Sequence, residues 1–151
     1  MPNPPVKSNF VIQDIARFRT QLYDRLIGPH GLTTSQASVL SQLFKKDEQI
    51  QSELAATLKI GTVTLGGLVD RLEAAGLVER RPVPGDRRAK CICLTPAAYP
   101  LGRIMDQRAD ELRQLTFVGM SEAEIAQFSD MLERVRENLL VALSEQKKAP
   151  D

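Results

Sequence analysis

Tryptophan is absent and aromatic residues make up only 5% of the chain. A core built from this sequence must therefore be mostly Leu, Ile, Val and Ala, residues that favour helices when they dominate. There is a single histidine, His30, and the two cysteines, Cys91 and Cys93, are one residue apart. One histidine and so close a cysteine pair make a zinc site within one chain and a structural disulfide both poor expectations; neither a metal nor a cofactor is expected. No apolar run approaches the roughly 20 residues of a membrane span. The opening MPNPPVKSNF lacks the apolar centre of a signal peptide, so no membrane association and a reducing cytoplasm are expected. A net charge of +1 excludes a polycation, so any nucleic-acid contact must come from a local basic cluster.

The 151 residues suit one compact domain, 1–151. Residues 1–7, with three prolines, read as a loose arm. Val11, Ile15, Phe18, Leu22 and Leu26 recur in steps of three and four, the period of an amphipathic helix, which Gly28-Pro29 ends. Thr33 and Gln36 have the form of a capping box opening a second helix, with Ala37, Leu40, Leu43 and Phe44 on its buried face. Lys45 to Glu48 is a polar break. Ser52–Leu58 and about Thr62–Ala75 then read as two helices joined at a tight Ile60-Gly61 turn, the helix-turn-helix pattern. Leu65, Leu68, Val69 and Leu72 face inward on the second of these, and Gly76 closes it.

The period then switches to strands. Leu77 to Arg81 and Ala89 to Thr95 flank a loop tip of Pro82, Pro84 and Gly85, a β-hairpin placed as a wing. Ile92 and Leu94 lie on one face of the return strand and the cysteines on the other. Thr95-Pro96 reads as an N-cap with proline at the first helical position. Pro100 moves the true start of that helix later or kinks it. Leu101, Ile104, Met105, Leu112 and Leu115 supply its apolar face. Ser121 and Glu124 form a second capping box. The last helix carries Ile125, Phe128, Leu132, Val135, Leu139 and Leu143 in a near-heptad seam, and residues 147–151 read as a polar tail. The fold class is mainly α with a small β-hairpin: a winged helix-turn-helix with a helical dimerisation region.

Two stretches carry chemistry. The wing holds Arg80, Arg81, Arg87, Arg88 and Lys90 against one acid, Asp86, which suits phosphate contacts or entry into a narrow minor groove. Asp86 is placed to hold one arginine through a bidentate pair. At the start of the fourth helix, Thr62, Thr64, Gly66 and Gly67 face away from the buried leucines. Threonines there contact phosphates or the thymine methyl, and glycines allow a close approach. The plainer alternatives are a solvated charged hairpin and Thr62 as a simple N-cap.

The run ELAATLKIGTVTLGGLVDRLEAAGLVERRPVPGDRRAKCICLT resembles the core of the MarR family of regulators, closest to its SlyA-like members. Asp86-Arg87-Arg88 after the wing loop, Leu94-Thr95 opening the next helix, and Leu72 to Val78 are the most family-like parts. The resemblance implies a two-fold homodimer on pseudo-palindromic double-stranded DNA, most simply a repressor. Helices at about 8–28 and 96–146 would form the dimer base, through residues such as Val11, Ile15, Leu132, Val135, Leu139 and Leu143. A lobe at about 33–95 would bind DNA, with the fourth helix in the major groove. Arg88 would enter the minor groove, steadied by Asp86, with Arg87 near a phosphate, and Lys90 is a further DNA-binding candidate of the wing. Ser35 and Gln36 would lie near the DNA backbone, and Arg71 would contact a phosphate or form an internal salt bridge. Many SlyA-like members carry arginine at the position of Gly67, so base readout here leans on groove shape.

The resemblance also implies an effector cleft near the link after the first helix, where Arg17, Tyr23 and His30 would receive a small aromatic or phenolic anion. The plainer reading of His30 is a surface loop residue. Cys91 and Cys93 open a thiol redox alternative, set against two half-buried strand residues. A third alternative is a winged helix that docks on protein and no longer binds DNA. An enzyme is not expected: there is no P-loop, no dinucleotide fingerprint and no nucleophile beside a base.

Overall fold

The computed structural model describes residues 8–146; the arm expected over 1–7 and the tail expected over 147–151 lie outside the described residues. The chain divides between Arg113 and Gln114 into two compact units. The first contains α1 (Ser8–Ile27), a 3-10 turn at Gly28–His30, α2 (Thr34–Lys45), β1 (Gln49–Ile50), α3 (Gln51–Leu58), α4 (Thr62–Ala74), β2 (Val78–Val83), β3 (Asp86–Leu94), a 3-10 turn at Pro96–Ala98 and most of α5 (Tyr99–Thr116). The second holds the end of α5 and α6 (Glu122–Gln146).

Helix starts follow local chemistry. Thr33 Oγ1 accepts from the Gln36 amide and Gln36 Oε1 accepts from the Thr33 amide, so the expected capping box is complete. The Asp24 carboxylate accepts from both the amide and the hydroxyl of Thr34, at 2.7 and 2.8 Å, and fastens α1 to α2. The core is aliphatic, as the scarcity of aromatics requires. Ile27, Leu40, Leu43, Leu54, Leu65, Leu72, Val69 and Ile92 are fully enclosed. Gly102 lets α5 approach α2, because a Cβ there would sit 3.1 Å from the Phe44 ring.

The structure departs from the sequence-based expectations in four places. The left-handed residue between α3 and α4 is Lys59, with φ 55°, while Ile60 turns inward against the core. Thr95 does stand at an N-cap position followed by proline, but of a 3-10 turn, and its hydroxyl donates to the Gly76 carbonyl at 2.5 Å instead of capping; α5 starts later, at Tyr99, one of the two outcomes expected from Pro100. Leu115, read as part of the α5 apolar face, is exposed. The hairpin is the larger part of a three-stranded antiparallel sheet in the order β1-β3-β2. Gln49 pairs with Ile92 and Ile50 with Cys91.

That third strand is short, and its position depends on Asp47. The Asp47 carboxylate accepts from the Glu48 amide at 2.7 Å and from the Leu94 amide at 2.9 Å, so one side chain shapes the turn after α2 and ties it to the end of β3. Hydrogen bonds to a charged acceptor contribute roughly 1.5–3 kcal/mol. Asp47→Ala is expected to lower the unfolding free energy by about that amount in a urea titration; an unchanged midpoint would contradict the assignment.

In the second unit, Ser121 and Glu124 complete their capping box at 2.7 and 3.3 Å. These bonds hold the Glu124 carboxyl below its usual range, so the cap is present at neutral pH and weakens as acid protonates it. Phe117 meets Phe128 edge to face, 6.1 Å between centroids. No residue of α6 is buried within the chain. Leu132, Val135, Leu139 and Leu143 are all exposed, as are Val11, Ile15 and Phe18 on α1.

Candidate nucleic-acid interface

The inner face of α4 is the expected one: Leu65, Leu68, Val69 and Leu72 are buried. At about 100° per residue, the opposite face carries Val63, Gly67, Asp70, Arg71 and Ala74. The N-cap is Gly61, so Thr62 is not the cap. Thr62 and Thr64 are exposed. Gly67 opens onto empty space, but Gly66 does not belong to the outward face. A Cβ at Gly66 would touch Gln51 at an ordinary 3.6 Å, and its carbonyl accepts from Arg80 at 3.3 Å.

Arg80 is a structural buckle. Its guanidinium pairs with Asp70 at 2.6 Å and Glu73 at 2.7 Å, and donates to Gln51 at 3.1 Å. With the side chain only 21% exposed, this network locks α4 against β2 and α3. Arg81 is also engaged, with Glu79 at 2.5 Å and Glu48 at 3.4 Å. The basic cluster read from sequence therefore separates into two arginines spent on acids of the lobe and three cations at the wing. Among the described residues, no ion pair involves Arg87, Arg88 or Lys90, and all three are exposed or half-exposed.

The wing tip is narrower than expected. Pro82 is within β2, and the turn is Pro84-Gly85, with Gly85 at φ 82° where a side chain would be strained. Asp86 does not grip a guanidinium. Its Oδ1 accepts from the backbone amides of Arg88 at 2.9 Å and Ala89 at 3.2 Å. It thus shapes the strand from which Arg88 projects and leaves the guanidinium free. A cleft of about 240 Å³ between wing and helices is lined by Ile50, Gln51, Ser52, Thr62, Arg88, Ala89 and Lys90. The start of α4 and the arginine-bearing strand thus share one concave surface.

Other expected residues are placed less uniformly. Ser35 is exposed, but the Gln36 side chain is occupied by the capping box. Arg71 forms no salt bridge among the described residues, which removes the internal-pair option for it. Tyr23 lines a cavity of about 410 Å³ with Ala16, Arg19, Thr20, Thr34, Ala109 and Leu112. Burial and the Asp106 carboxylate push its phenol above the usual range. Arg17 and His30 do not line it. Arg17 pairs with Asp14 at 2.7 Å beside the Phe18 ring, and His30 lies half-buried in the 3-10 turn. Arg19 is the cation that faces the cavity.

Two residues of these surfaces carry little signal in the sequence. Val63 is 89% exposed on the outward face of α4; helical phase alone puts it opposite Leu65, but its apolar side chain gives no sign of a polar contact. Arg19 escapes sequence reasoning because its cavity is closed by α2 and α5, far away along the chain. Among the described residues no group of three or more His, Cys, Asp or Glu is arranged to hold a metal ion, and no helix is long and apolar enough to cross a membrane.

The model of the MarR family matches residues 30–89, the segment from the turn after α1 to the wing. The structure is similar over nearly its full length to a MarR transcriptional regulator from Methanosarcina mazei Go1, with 25% identity, 89% of this chain and 96% of that one covered, and a TM-score of 0.80. It has the same fold as a mutant MarR from E. coli complexed with operator DNA, at 24% identity, 86% and 94% coverage and a TM-score of 0.75. It also shares the fold of Bordetella bronchiseptica BpsR, whose DNA binding is regulated by 6-hydroxynicotinic acid, at 24% identity, 85% and 97% coverage and a TM-score of 0.76.

Proposed function

We propose that the chain is a transcription regulator of the MarR family that binds double-stranded DNA sequence-specifically as a homodimer in the cytoplasm and represses transcription. The observation that carries this reading is the concave surface shared by Thr62 and Arg88, beside the free cations Arg87 and Lys90. Unpaired cations on a protruding strand are suited to phosphates and to a narrow minor groove. The outward face of α4 is suited to the major groove. The operator-bound E. coli relative supports the same use of this fold. Selection from a random duplex pool tests the proposal. A palindrome with half-sites about one helical turn apart is expected, with affinity that falls steeply as salt rises.

Val63 gives this reading its chemistry of base recognition. With Gly67 beside it, the N-terminal part of the outer face of α4 presents the two Val63 methyl groups, a surface for the thymine 5-methyl; the nearest long polar side chain on that face is Arg71, one turn beyond Gly67. Replacing the contacted thymine by uracil is expected to weaken binding roughly fourfold per half-site, the ~0.8 kcal/mol of one buried methyl. Val63→Ala should erase most of that difference. Equal affinity for the two operators would remove Val63 from the readout. The exposed Val63 also favours a second reading, docking on protein, which predicts no salt-dependent binding to any duplex.

A small aromatic anion is the proposed effector. The cavity beside Tyr23 offers an aromatic wall, aliphatic Leu112 and the Arg19 cation, and BpsR responds to such a compound. Thermal unfolding with 6-hydroxynicotinic acid and related phenolic acids tests this. A rise in midpoint that Arg19→Ala abolishes is expected; no rise with any of them rejects the ligand class.

A further inference from the structure

The two thiols on β3 stand outside the interface described above. Cys91 is half-buried and Cys93 is 2% exposed, and they lie on the same face of the strand with their sulfurs 3.8 Å apart. They are the chain's only cysteines. A disulfide would require the sulfurs to close to about 2.05 Å. Two residues of extended strand separate the Cα atoms by about 6.6 Å, at the wide end of the disulfide range and beyond its usual span of about 5.5–6 Å. The sheet cannot shorten that span without breaking the pairing of Cys91 with Ile50 and Arg81 and of Cys93 with Glu79. The redox alternative therefore has poor geometry.

An atom bridging the two sulfurs has good geometry. Two bonds of about 2.3 Å, the length of a zinc–thiolate bond, span 3.8 Å with an angle near 110° at the central atom. No group of three or more ligating side chains occurs among the described residues, so the bridging centre must be satisfied by two protein sulfurs and bring its own third substituent. That description fits trivalent arsenic and disfavours zinc, which takes three or four protein ligands.

We propose that Cys91 and Cys93 form a two-thiol chelating site for trivalent arsenicals. In the reaction an arsenic(III) oxide R–As=O meets two S–H groups. Two As–S bonds form, both thiol protons go to the oxygen, and water leaves; arsenic stays trivalent and no oxidant is needed. Burial and the neighbouring thiol push Cys93 up to about 11, so that thiol is protonated at neutral pH. It is a poor target for reagents that require a thiolate, and a suitable one for a centre that carries its own proton acceptor. Entry is from the half-buried Cys91 side.

The full-length protein, incubated with phenylarsine oxide in excess glutathione, tests the site. Intact mass is expected to show one adduct per chain, with both thiols lost to titration after denaturation and recovered on adding dimercaptopropanol. Cys91→Ser and Cys93→Ser should each lose the glutathione-resistant adduct while keeping the wild-type circular dichroism spectrum. An adduct that persists in either variant, or none in the wild type, overturns the proposal. So does a Cys91–Cys93 disulfide formed readily by peroxide, which would show that the strand closes after all. None of these readouts involves DNA, so the site stands or falls independently of the regulator reading.

Discussion

Arg88→Ala is expected to weaken binding to duplex DNA about 10- to 100-fold, the equivalent of one lost hydrogen-bonded charge contact of roughly 1.5–3 kcal/mol. The loss should be similar across sequences, and the slope of log affinity against log salt should fall by about one per protomer. The size of the effect follows from what surrounds the side chain. Arg88 is exposed on β3 and pairs with no acid among the described residues, and its backbone is held by Asp86, so the guanidinium enters a complex without first breaking an internal salt bridge. Arg80→Ala is the contrasting variant. It removes the contacts to Asp70, Glu73 and Gln51, so it should lower stability first and DNA affinity only through the loosened α4. Fluorescence anisotropy over a salt series, with urea unfolding alongside, separates the two. Equal salt slopes for wild type and Arg88→Ala would sink the proposed role of the wing.

Leu139→Asp is expected to weaken the proposed homodimer by two orders of magnitude or more. Leu139 is 60% exposed within the chain, in a helix with no buried residue. A 25-residue amphipathic helix with an uncovered leucine seam gains stability only if another surface covers the seam. In a two-fold dimer each substitution is present twice. Losing two buried leucines, at about 1.5 kcal/mol or more each, gives ~3 kcal/mol or roughly 100-fold, before any cost of burying the carboxylates. Sedimentation velocity across a dilution series measures it, with circular dichroism to verify that the helices persist. A dimer of unchanged strength would assign the seam another partner.

Elements whose signal is local are legible in the amino-acid sequence. The capping boxes at Thr33 and Ser121, the inward leucines of α4 and the two-strand wing all rest on residues within four positions of one another or on a simple alternation. Boundaries are less legible where a distant group intervenes. β1 is two residues long and has no periodicity to detect; it exists because Asp47 binds the Leu94 amide, 47 positions away. The left-handed residue at Lys59 replaces the glycine that a turn usually needs, and Ile60 compensates by packing into the core.

The order of helices and wing, the aliphatic character of the core and the presence of an amphipathic last helix were determined by the sequence alone, because 3.6- and 2-residue periods and short-range caps are properties of neighbouring residues. Which cations remain free was decided only by the tertiary structure. Five basic side chains look alike in the run from Arg80 to Lys90. Their pairing depends on Gln51 and Asp70 for Arg80 and on Glu48 for Arg81, acids and amides brought near by the packing of α3, α4 and the sheet. Coulomb attraction acts over distance in space, and that distance does not exist until the chain has folded.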